Sequence, residues 1–110
     1  MRDNERQYLW PSLWVRDVVL DAVELQKAEI LFDDMEAGVT HYIVTMYGIA
    51  REFCITVIPL YRDRSRVRIE VSGAGEPDVS YAIYRQFALF ENLMAGFEMR
   101  RGCGSTQTQE

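Results

Sequence analysis

The chain has 110 residues, a formal net charge of −5, 48% hydrophobic and 26% charged residues. That composition is one globular domain able to bury its own core; it excludes a disordered chain and leaves no room for a second independent domain. The acidic balance disfavours direct binding of nucleic acid and of anionic membrane, favours a basic partner, and no apolar run reaches the ~20 residues that span a bilayer.

Two cysteines, Cys54 in an apolar run and Cys103 between glycines, make no disulfide framework, and the opening MRDNERQY lacks the pattern of a signal peptide. A reducing, cytoplasmic setting is expected, that of the producing cell or, for a phage-encoded chain, of its host.

Residues 1–11 read as an N-terminal segment, polar and then aromatic, in which Pro11 biases Trp10 away from helical geometry. A helix is predicted from Ser12, as N-cap, to at least Gln26. Val15, Val18, Val19, Ala22, Val23 and Leu25 fill one broad face, and Arg16, Asp17, Asp21, Glu24 and Lys27 belong to a wetter one. The triplet Ile30, Leu31, Phe32 suits either a last helical turn or a short strand, and the reading favours the helix. Asp33, Asp34, Glu36 and Gly38 then mark a polar break, with Gly38 a C-cap or turn glycine.

Thr40–Tyr47 is rich in β-branched and aromatic residues and reads as a strand closed by Gly48. Arg51–Tyr61 alternates as a second strand, with Pro59 pointing to an edge or a bulge. Arg62–Ser65 makes a turn, and Arg66–Ser72 forms a third strand with Val67, Ile69 and Val71 on one side. Joining that side to Phe53, Ile55 and Val57 segregates polarity best and fixes the register. From Pro77 to Met99, Val79, Ile83, Phe87, Phe90, Met94 and Phe97 recur at helical spacing, while Arg85, Gln86, Glu91 and Asn92 fall mostly off that stripe. The domain is therefore placed at 12–101, with a disordered polar tail over 102–110.

The expected fold class is α+β: a two-layer sandwich with an N-terminal helix, a three- or four-stranded antiparallel meander and a C-terminal amphipathic helix. Short connections favour antiparallel neighbours, because parallel ones need long crossovers.

No residue constellation identifies a reaction. The G-x-G of Ser72–Asp78 has Asp78 at the third glycine position of a dinucleotide loop and Glu76 where phosphate would sit. The acids at 33, 34 and 36 alternate poorly for calcium, with Met35 and Ala37 between them. His41, the single histidine, makes no zinc site alone, and nothing in the sequence sets it beside Cys54 as a nucleophile's base. Neither a cofactor nor enzymatic activity is expected.

Charge segregation is the more informative signal. Ser12–Gly38 holds seven acids against two bases, whereas Arg51–Glu70 holds five arginines against three acids. The expected function is a non-enzymatic acidic interaction protein that binds, and inhibits, a larger partner. In size and charge alone it compares with phage or mobile-element inhibitors, immunity proteins and chaperones. Asp17, Asp21, Glu24, Asp33, Asp34 and Glu36 are expected to face a basic protein surface, with Arg62, Arg64, Arg66 and Arg68 as the second choice. The alternative is a small-ligand or nucleotide-binding protein with a pocket between sheet and helices, lined by Tyr42, Tyr81 or Tyr84 and an arginine. A homodimer is expected, because Trp10, Leu13, Trp14, Tyr47, Ile58, Leu60 and Tyr61 exceed what two helices on one sheet face can cover.

Overall fold

The computed structural model describes residues 4–72 and 79–109, leaving out the side chains of 46 and 99–109. The order is β1 (Glu5–Tyr8), α1 (Ser12–Leu25), β2 (Glu29–Asp34), β3 (Val39–Met46), β4 (Ile49–Tyr61), β5 (Arg64–Ser72) and α2 (Val79–Gln109). All pairings are antiparallel, in the spatial order β1-β5-β4-β3-β2. The fold is α+β as expected, with five strands in place of three or four.

Both extra strands come from segments with weak local signals. β1, Glu-Arg-Gln-Tyr, is polar and is held by its pairing with β5 and by two bonds to α2, with a third from Trp10 just after it. Arg6 Nη1 and Tyr8 Oη each donate to Glu91 Oε2 at 2.7 Å, and Trp10 Nε1 donates to Glu98 Oε2 at 2.9 Å. Glu91 and Glu98 lie two helical turns apart, so one side of α2 receives the whole N-terminal segment. Trp10 is thereby buried, contrary to its expected contribution to open surface.

β2 corrects the helical reading of the Ile30–Phe32 triplet. Helix α1 stops at Leu25: Lys27 N–H bonds the Glu24 carbonyl at 3.0 Å and Ala28 N–H bonds the Val23 carbonyl at 2.9 Å. This is the Schellman ending, with Lys27 at φ 55° in the left-handed position that glycine normally takes. At the other end Pro11 is the N-cap and its carbonyl accepts from Trp14 and Val15 N–H, so Ser12 is already helical and not itself the cap.

The hairpin register is the one polarity demanded: Phe53 faces Val71, Ile55 faces Ile69 and Val57 faces Val67. The register shifts between Pro59 and Tyr61, the bulge that the proline foreshadows. Against this face pack Ile83, Phe87, Phe90 and Met94 of α2, with Val79 and Phe97 partly buried beside them, and Val15, Val18, Val19, Ala22 and Val23 of α1. Gln86, expected off the stripe, is 5% exposed. It sits inside because its amide is answered: Gln26 and Gln86 exchange bonds at 3.1 and 2.8 Å, and Tyr42 Oη donates to Gln86 Oε1 at 2.6 Å.

Two turns fix the outer half of the sheet. Gly38, at φ 72°, donates to the Asp34 carbonyl and accepts from Val57 N–H, and a Cβ there would lie 2.5 Å from the Val57 carbonyl oxygen. Tyr47 and Gly48, at φ 56° and 76°, join β3 to β4 in a two-residue loop of the I′ kind, where both central residues need positive φ. The helical backbone of α2 continues to Gln109, over residues expected to form the tail. The glycine segment and the expected helix start at Pro77 fall on 73–78, outside the described residues.

Candidate functional site

The six acids named from the sequence fall into two groups. Asp17, Asp21 and Glu24 are exposed and recur at helical spacing along α1. Asp33, Asp34 and Glu36 belong instead to the end of β2 and the turn after it. Arg16 ties the elements together through an ion pair with Asp33, which also accepts from Thr40 Oγ1 at 2.9 Å. Asp34 Oδ1 accepts the Ala37 amide at 3.1 Å, so it shapes the turn. Two of the six therefore serve the fold as well as the surface.

The same strand carries the most exposed apolar run in the sheet. Ile30, Leu31 and Phe32 are 46%, 45% and 52% exposed, and β2 is last in the sheet order, its outer edge unpaired among the described residues. A register shift between Ile30 and Phe32 sets Ile30 opposite Tyr42 and Phe32 opposite His41, which spreads the triplet over both faces. Residues 29–36 contain four acids and no base. An apolar strand edge with an acidic surround is thus the observed form of the acidic surface.

The arginine row is less available. Arg64, Arg66 and Arg68 alternate with buried Ser65, Val67 and Ile69, so they share the sheet face away from the helices. Arg68 Nε donates to Glu5 Oε2 at 2.8 Å, and the Arg64 guanidinium lies 5.5 Å from the Tyr61 ring centre. Arg62 stands in the exposed turn. Cys54 lies half-buried on that same open face, its thiol pushed up by burial and by the charges of Glu70 and Glu52. His41 Nδ1 is 3.7 Å from Glu52 Oε2, and its ring meets Phe32 edge-on. Among the described residues no three of His, Cys, Asp and Glu are grouped to hold a metal ion.

A cleft of about 740 Å³ opens between the first half of α2, the end of α1 and the β3–β4 hairpin. Tyr81, Tyr84, Arg51 and Arg85 line it, as do Tyr47 and Ile49, whose part in it is not expected from the sequence. Tyr42 does not: it is fully buried beneath, and burial pushes its phenol well above the ordinary range. No signal in the sequence could have joined Tyr47 to Tyr81, because the hairpin and helix meet only in the tertiary fold.

No protein-family model matches the chain, and comparison with curated proteins returned no match. Among the described residues no helix is long and apolar enough to cross a membrane.

Proposed function

We propose that the chain is a non-enzymatic protein-binding module that docks an extended, basic-flanked segment of a larger partner along the free edge of β2. The carrying observation is the exposed Ile30–Phe32 run at a sheet end, set among Glu29, Asp33, Asp34 and Glu36. A strand edge offers backbone donors and acceptors to an added strand, alternate side chains supply the apolar contact, and charge complementarity selects a partner with lysine or arginine at its flanks. Binding of this kind would block the partner segment's other uses, which is how such a module inhibits.

Self-pairing along β2 is opposed by its own charges. An antiparallel pair centred on Leu31 sets Glu29 of one copy against Asp33 of the other, and like charges directly opposite destabilise a ladder. The homodimer belongs instead at the exposed Leu9 and Leu13 beside Trp14. Light scattering should give about twice 12.8 kDa at micromolar concentration, and 12.8 kDa would remove it.

Selection from a library of extended peptides tests the docking reading. Enriched peptides should carry an apolar centre with basic flanks, and Phe32→Lys with Glu36→Lys should abolish the enrichment. Enrichment that survives this double variant would place the surface elsewhere.

A further inference from the structure

The cleft shares no lining residue with β2 and has a chemistry of its own. Among the described residues its polar and charged lining includes Arg51 and Arg85 and no carboxylate. Arg51 pairs with Val44 on the helix-covered side of the sheet, in line with buried Phe53 and Ile55. Its Nη1 is buried without a hydrogen-bond partner among the described residues. A buried guanidinium N–H left unanswered is costly, and an acceptor entering the cleft would answer it. Arg85 lies 5.9 Å from the ring centre of Tyr81, which itself stacks with Tyr84 at 6.4 Å.

The walls are aromatic and open. Tyr47, Tyr81 and Tyr84 are 94%, 59% and 56% exposed. Tyr47 occupies a left-handed turn position that asparagine or glycine fills with less strain, so the turn alone does not account for a tyrosine there. The volume falls in the ~300–1,000 Å³ range of small-molecule sites.

From the unanswered Arg51 N–H, the lack of acids among the described lining residues and the tyrosine walls together, we infer that this cleft binds a small amphipathic carboxylate. The carboxylate is held by Arg51, and the apolar body lies between Tyr47, Ile49 and the Tyr81–Tyr84 pair. A single carboxylate matches this lining better than a phosphate, which draws several converging donors and a helix N-terminus or backbone nest. This binding is separate from partner docking at β2 and stands or falls without it.

Calorimetric titration of the full chain with decanoate, 1-naphthoate, their uncharged alcohols decanol and 1-naphthalenemethanol, and AMP tests the inference. One or both carboxylates should bind at least tenfold more tightly than the matching alcohol, and which one does so distinguishes an aliphatic from an aromatic body. Arg51→Gln should reduce that preference to below twofold. Tyr84→Ala, on an exposed helix position and so independent of whether R51Q folds, should weaken acid and alcohol alike by at least fivefold. Equal affinity for acid and alcohol, tighter binding of AMP, no heat from either carboxylate at millimolar concentration, or unchanged binding in Y84A would each overturn it.

Discussion

Lys27 and Gly38 show how single residues set the outline of the domain. Lys27 takes the left-handed position that ends α1, at φ 55°, where a Cβ crowds the following carbonyl and glycine does not. Lys27→Gly should therefore stabilise the protein by about 0.5–1 kcal/mol, seen as a higher urea midpoint with an unchanged slope. Gly38→Ala should act in the opposite sense. It adds a Cβ 2.5 Å from the Val57 carbonyl at φ 72°, and a loss of about 1–3 kcal/mol is expected, with more if β4 must shift. A raised midpoint for G38A would mean that the turn does not dock on β4.

Among the elements, α2 organises the rest, and Phe87 is its centre: fully buried, edge-on to Phe90, with the Arg6 guanidinium 4.7 Å from its ring centre. Phe87→Ala should cost about 3–5 kcal/mol and lower the melting temperature accordingly. This helix and the β4–β5 pairing were legible in the sequence because a stripe of six large apolar residues and two clean alternations admit few other arrangements. β1 was not, since its four residues carry no apolar alternation and are held by Glu91, more than 80 positions away. β2 was missed because the helix before it ends on a lysine where a glycine would have announced the stop, and three adjacent apolar residues have no period. The acidic group was legible as a charge run. Its division between α1 and a strand edge was not, nor was the engagement of Asp33 and Asp34 in the fold. Reversing those two charges would perturb folding and docking together, so Phe32 and Glu36 are the cleaner positions for a test.

At the scale of the molecule, the N-terminal segment is latched to α2 by groups whose protonation matters. Burial, reinforced by the hydrogen bond to Glu91 and its charge, pushes the Tyr8 phenol well above its ordinary value. The folded chain then keeps this proton after an unfolded phenol, near pH 10, has lost it. Stability from Tyr8 is thus complete below about pH 10 and is lost as pH rises toward the folded value. Urea midpoints should fall across that alkaline window, and Tyr8→Phe should flatten the fall; an equally steep fall in Y8F would assign it to other groups.

The docking edge lies at the far side of the sheet from that latch, with three strands between β2 and β1. Its most direct test is a map of backbone amide shifts during titration with a peptide of alternating valine and threonine flanked by lysines. The largest changes are expected within residues 29–38, weakening with salt as screened charges should. Changes centred on Arg62–Arg68, or none at millimolar peptide, would contradict it.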